Sequence, residues 1–395
     1  MWFGLGLFPF SPTDLDIFFW PSARIAVHGQ PFMVYAANGQ SNYPNANGPV
    51  SLLPLTAVGI FVNAFGSLDA TTPRRAVALA VFSLFVLLMA REAVRTIERV
   101  RGRPIPQWPR LVAYATFALA TPVWQSVAGY GHIEQPIEIW LMLIAARYVQ
   151  AERMLPAGVA FALAIFSRSS AVLLSVPLGL AALRQGWLRT VVLFASAAVT
   201  GALVLLPFLI SDTADVVHSL FTYRSGLVVG AGSVWSLSAG TALEPIVQRW
   251  DIIPVLAAVL ATNLWLAVRP GGLEGARLFA GMALASASFA LLAKTVWPYY
   301  FFEAFVFATV WAASIWKPSD GLLRLALPPM ALSVFGLVAE IGSDQYIKPD
   351  GVKLEGGAMF VMLGLLIVWI AWSASRDHSP AGMPEHVAAV QEAWK

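Results

Sequence analysis

The chain has 395 residues, of which 58% are hydrophobic and 12% charged, with a net charge of +3 and a mean hydropathy of +0.69. A soluble domain carries about 25% charged residues, so the composition excludes a water-soluble protein and points to one integral to a membrane. The lack of cysteine excludes disulfides and thiolate metal sites. The positive balance lies in loop arginines, which speaks of topology and not of nucleic acid.

In chain order, Met1 to Phe10 is apolar but too short to span, and it lacks the basic flank of a signal peptide. Next comes "TDLDIFFWPSARIAVHGQP" (13–31), where Asp14 and Asp16 precede Phe18, Phe19 and Trp20. In a helix two such carboxylates point about 200° apart, so one can face a cleft while the other caps the helix. A carboxylate held against rings is partly desolvated and becomes a better base. The plainer alternative is a helix cap among solvated neighbours. "NYPNANGPVS" (42–51) is a proline-punctuated turn whose Tyr43 and asparagines suit sugar hydroxyls, although ordinary surface turns share that composition.

The apolar runs predict an all-α, polytopic transmembrane bundle of about eleven membrane segments, at 74–94, 110–128, 136–150, 155–167, 170–183, 188–210, 252–268, 276–293, 298–316, 323–341 and 357–374. Residues 1–375 read as a single membrane domain, with outer loops at 11–73 and 211–250, and 376–395 as a cytoplasmic tail. "REAVRTIERVRGRPIPQWPR" (91–110) carries six Arg against two Glu and belongs in the cytoplasm. "RYVQAERM", "RQGWLR", "RPGGLEGAR" and "KPSDGLLR" join it, provided that 155–183 is a hairpin with "FSRSS" (166–170) at its apex. The segment 50–68 could span by length. Pro44, Pro49 and Pro54 favour a re-entrant or interfacial course, which leaves the Asp14/Asp16 loop outside. An outer loop at the start of the chain predicts a further membrane helix upstream.

The unusual polar groups then gather on one side. "GYGHIEQP" (129–136) brings His132 and Glu134 to a helix end, for proton transfer or phosphate contact, or as a plain polar turn. Arg168 interrupts an apolar stretch, which marks it as a functional candidate suited to a phosphate, with snorkelling to headgroups as the alternative. Lys294, Trp297, Tyr299, Tyr300 and Glu303 repeat the pairing of cation and aromatics. An aromatic belt explains the rings but not Glu303. No phosphate-binding glycine loop, HExxH or nucleophile elbow is present. A donor used without a nucleotide site must be borne by the membrane.

The stretch "TDLDIFFWPSARIAVHGQPFMVYAANGQSNYPNANGPVSLLPL" resembles the first outer loop of the GT-C glycosyltransferases, most closely the GPI mannosyltransferase I catalytic subunit and bacterial polyprenyl-phosphate-mannose-dependent mannosyltransferases. The matching pieces are Asp14-Leu15-Asp16, Ser22-Ala23-Arg24, Gly29, Pro31-Phe32 and Tyr43-Pro44. The turn Asn45-Ala46-Asn47-Gly48-Pro49 departs from the tighter Tyr-Pro-Pro of that family. "GYGHIEQ", "AFALAIFSRSSAVLLSVP" and "KTVWPYYFFEAF" follow in the order the resemblance implies.

That resemblance implies an inverting glycosyltransferase of the cell (inner) membrane. It would move a sugar, mannose by likeness, from a polyprenyl-phosphate donor to a glycan or glycolipid acceptor at the extracytoplasmic face. Asp16 is the first choice for general base and Asp14 the second. Arg168 with His132 or Lys294 would meet the leaving phosphate, and Glu134, Tyr299 and Tyr43 would line the substrate. No metal and no cofactor are called for, the lipid-linked sugar being the substrate. Two rivals are a transporter or flippase of lipid-linked sugars, for which no internal repeat is seen, and a non-catalytic membrane scaffold.

Overall fold

The computed structural model describes residues 14–39, 44–66, 68–227, 229–230, 233–238, 240–317, 321–343 and 349–376. Helices account for nearly all of it, and no β-strand occurs among the described residues. A π-helical turn, Leu15–Phe19, runs straight into α1 (Trp20–Val27). There follow α2 (Leu52–Ala64), α3 (Thr71–Arg101), α4 (Gln107–Leu119), α5 (Thr121–Trp124), α6 (Glu134–Gln150), α7 (Met154–Ile165), α8 (Ser175–Gln185), α9 (Trp187–Ser211) and α10 (Thr213–Val217). The chain closes with α11 (Glu244–Trp250), α12 (Ile252–Ala267), α13 (Ala276–Leu292), α14 (Phe301–Ile315), α15 (Gly321–Ser343) and α16 (Pro349–Arg376).

Each of the eleven expected segments falls on a helix. Among the described residues, four helices are long and apolar enough to cross a membrane: Thr71–Arg101, Gln107–Tyr130, Trp187–Ser211 and Gly357–Arg376. A fifth arises if the bent pair α11–α12 counts as one span. Most of the others fall short of the roughly 20 residues that a straight crossing needs, among them α6 with 17 residues and α7 with 12; α15 has 23 but carries Pro328 and Pro329 within it. The protein is therefore an all-helical, membrane-embedded bundle. α9 shows why: only 11% of its most apolar stretch is buried within the protein, so its hydrophobic surface faces lipid.

The core is α6, α13 and α14. Nearly every side chain from Arg277 to Ala290 is buried, as is the whole run from Phe301 to Ala312. With lipid outside, burial of apolar area drives little association, and close backbone approach matters more. Gly158 of α7 lies directly against the Leu193 carbonyl of α9, and Gly201 of α9 against the Phe166 ring.

Helix direction sorts the polar groups to two ends. α3 runs from Arg74 and Arg75 to Arg101, whose guanidinium donates to the Ala313 carbonyl at the far end of α14 (2.9 Å). At that far end Glu92 pairs with Arg99 (3.3 Å) and Arg147 (3.4 Å), Glu152 pairs with Arg189, and Arg184 with Glu274 (2.9 Å). α3 stops there at Gly102, whose φ of +64° lets its N–H turn back to Arg99. α7 leaves this end and α8 returns to it, where Gln185 donates to the Val149 carbonyl (3.0 Å). Residues 154–185 are thus a hairpin with Arg168 at its turn.

α2 has 13 residues, too few to span. One side packs on α1, while Leu53, Ile60, Phe61 and Phe65 stay exposed. Met1 to Phe10, with the upstream helix expected before it, and the tail beyond Arg376 lie outside the described residues.

Candidate functional site

Four turns build the end of the bundle opposite the arginine cluster. α4 breaks at Ala120, which is extended (ψ 151°) before Thr121-Pro122, and the chain winds through α5 into a π-helical turn, Gln125–Tyr130. Gly131 reverses it at φ +80°, a conformation that a side chain resists, and so delivers His132 and Glu134 together at the head of α6. The hairpin turn brings Arg168, and Pro298–Tyr300 followed by α14 brings Tyr299 and Glu303. The opening π-helical turn supplies Asp14 and Asp16. π-Helical turns of this kind are often found at functional sites.

The side chains form a continuous polar chain. His132 Nε2 bonds Asp14 Oδ2 (2.8 Å), and its Nδ1 bonds Glu134 Oε1 (2.5 Å). The same Glu134 oxygen accepts Arg168 Nη1 (2.7 Å). Arg168 Nε donates to Ser170 Oγ (2.9 Å) and lies 3.0 Å from Glu303 Oε1, to which the Ser170 hydroxyl also donates (2.9 Å). Tyr299 covers the chain: its ring lies 3.7 Å from that of His132, and the Arg168 guanidinium sits 5.7 Å from it and 5.5 Å from Tyr300. Gln135 holds Tyr299 in place through its carbonyl (2.9 Å) and is itself bonded by Ser126.

Exposure falls along this chain, from 16% at the Asp14 side chain to 7% at His132 and 0% at Glu134. Burial alone would strip His132 of its proton. The Glu134 and Asp14 carboxylates outweigh that effect and hold its pKa above the ordinary value.

Asp16 takes a different course. Its Oδ1 accepts Nε (3.0 Å) and Nη2 (2.8 Å) of Arg74, and its Oδ2 accepts Nε (2.8 Å) and Nη2 of Arg75. Arg74 in turn lies over Trp20, 5.5 Å from the ring. Neither aspartate caps a helix: Asp14 precedes the first turn without a side-chain bond to it.

No protein-family model matches this chain. Nor does any curated protein.

Of the residues singled out in the sequence, Asp14, His132, Glu134, Arg168, Tyr299 and Glu303 come together. Lys294 stands apart from them: its ammonium donates to the Gln248 carbonyl (2.5 Å) and its backbone N–H to Asp251 (3.1 Å), which ties it to α11 and the start of α12. Tyr43 lies outside the described residues. Arg74, Arg75, Ser170 and Glu138 were missed. An Arg-Arg pair opening a span at the end opposite "REAVRTIERVR" was the available signal for the first two. No cluster able to hold a metal ion occurs among the described residues. An open groove of about 500 Å³ between α15 and α16 is lined by apolar side chains and includes none of these groups.

Proposed function

We propose that this protein is a membrane glycosyltransferase of GT-C type, taking a sugar from a polyprenyl-phosphate donor, with Asp14 as general base. The observation that carries this reading is the hydrogen-bonded chain from Asp14 to His132 to Glu134 to Arg168, whose most exposed member is a carboxylate. Asp14 is reachable from solvent at the mouth of the site. Both oxygens of Asp16 are engaged by two guanidinium forks, so the order of preference for the base is reversed here.

In the reaction, an acceptor hydroxyl attacks the anomeric carbon as its proton passes to Asp14. The carbon–phosphate-oxygen bond breaks on the opposite face, and the lipid phosphate leaves with the bonding pair, inverting the configuration. The phosphate needs cations beside it as charge develops. Arg74 and Arg75, two residues away through Asp16 and with side chains 15% and 24% exposed, are the accessible ones. Arg168, 8% exposed and paired with two glutamates, orients Glu134 and through it His132. The site end then faces the extracytoplasmic side, and the arginine cluster of the other end lies in the cytoplasm.

The test is transfer in membranes supplied with polyprenyl-phosphate-mannose and a glycan or glycolipid acceptor. General-base catalysis contributes roughly 10²- to 10⁴-fold, so Asp14→Asn should lose about that much while expression and fold persist. Undiminished transfer by that variant removes Asp14 from the chemistry. A transporter is the second reading, favoured by glutamates buried on α6 and α14, since ionisable groups inside membrane helices mark transport pathways. It predicts movement of the lipid-linked sugar across vesicles without any new glycosidic bond.

A further inference from the structure

Glu138 stands one helical turn beyond Glu134 on α6 and is fully buried. Neither of its carboxyl oxygens receives a hydrogen bond from a fixed donor. Its charged neighbours are Glu303 of α14, Arg168 of the hairpin turn and Glu134. The groups facing this cluster from the surrounding elements are Ser170 beside Arg168, Ser286 of α13 (3.5 Å from Glu303 Oε2), and Tyr299 and Tyr300 over the guanidinium. His132 and Asp14 continue it toward solvent.

The charges do not balance. Among the described residues the buried carboxyl groups of Glu134, Glu138 and Glu303 face the buried cations His132 and Arg168, which leaves one negative charge in excess in a place where an uncompensated charge is strongly disfavoured. Two carboxyl groups that face each other can bond only when one carries a proton. Arg168 cannot answer three glutamates equally: its bonds go to Glu134 and Glu303.

We propose that Glu138 and Glu303 share one bound proton, and that Glu138 is thereby a positioning residue which leaves Arg168 to hold Glu134 and, through it, His132 and Asp14. Loss of the shared proton in alkali places a second carboxylate beside Arg168, draws the guanidinium off Glu134 and loosens the chain that ends at Asp14. The effect on catalysis rests on the transfer reading above; the shared proton does not.

Infrared spectroscopy of the full chain in lipid tests the proton itself, since a buried carboxylic acid has a carbonyl stretch that a carboxylate lacks. The parent protein should show this band at neutral pH and lose it in alkali. Glu138→Gln should abolish the band, and Glu303→Gln should also abolish it, because Glu138 then ionises against Arg168. A parent without the band overturns the proposal, as does a band that survives in either variant. In a transfer assay Glu138→Gln should move the alkaline limb of the kcat profile to higher pH, leaving the part that follows His132, with KM unchanged. An alkaline limb identical to the parent's overturns the positioning role. If the bands behave as stated and the parent transfers no sugar, the transfer reading fails and the proton pair stands.

Discussion

Asp14 and Asp16 are two positions apart, yet one turn of π-helix sends them to unrelated partners. Asp16 is a clamp: its two guanidinium partners come from residues 58 and 59 positions away in the chain, so it fastens the opening turn to the head of α3. Removing one partner of a mostly buried, bidentate ion pair leaves charged groups unanswered. Asp16→Asn should lower stability by about 1–3 kcal/mol and reduce transfer less than Asp14→Asn does, as read by thermal unfolding and activity side by side. His132 gives the pH dependence. Its folded-state pKa is raised above the ordinary 6.5 by two carboxylates that outweigh its burial. The stabilisation from charged His132 is therefore complete below that ordinary value and is lost as pH climbs through the folded-state value. The parent's melting temperature should fall over that alkaline range, and the fall should be smaller in His132→Gln. Equal slopes would show that His132 carries no such charge.

Among the elements, the hairpin 154–185 and the first loop depend on each other. Val50 donates its N–H to the Phe166 carbonyl at the hairpin turn (3.0 Å), and Gly48 lies so close that an added Cβ would overlap that same carbonyl group. The clash is with backbone, which cannot swing aside as a side chain can. Gly48→Ala should therefore cost about 1–3 kcal/mol and lower activity by displacing Arg168, two residues on from Phe166. A variant as stable and active as the parent would show that the loop yields. The brevity of α2 belongs to this scale too. The prolines at 44, 49 and 54 confine the segment to a short helix beginning after Pro49, and its exposed Leu53, Ile60, Phe61 and Phe65 give it an apolar flank for the membrane interface.

For the molecule as a whole, the bundle has one end closed by Arg–Glu pairs and arginine–carbonyl bonds and another that holds the graded carboxylate chain. The transfer proposal sets these ends on opposite sides of the bilayer. The chain has no cysteine, so single cysteines report sidedness without background. Asp69→Cys, at the exposed head of α3, should react with an impermeant maleimide added to intact cells, and Glu152→Cys, exposed beside α7 at the other end, should not. The reverse pattern would place the site in the cytoplasm and remove the lipid-linked donor from the proposal.

Composition by itself determined the solvent: a chain with so few charges and such long apolar runs satisfies its backbone internally as helices in lipid, whatever its partners. The apolar periods located the helices, the arginine-rich loops grouped one set of helix ends, and a charge inside an apolar run exposed Arg168 and Glu303, because such groups persist there only with partners. Which partner each charge takes is a contact between residues far apart in the chain, and no local pattern encodes it. Only the tertiary structure gave Asp16 to Arg74 and Arg75, Asp14 to His132, and Lys294 to the Gln248 carbonyl. It also showed that, among the described residues, four or five helices are long and apolar enough to cross a membrane, since length along an axis and kinks such as the one at Ala120 divide the apolar runs.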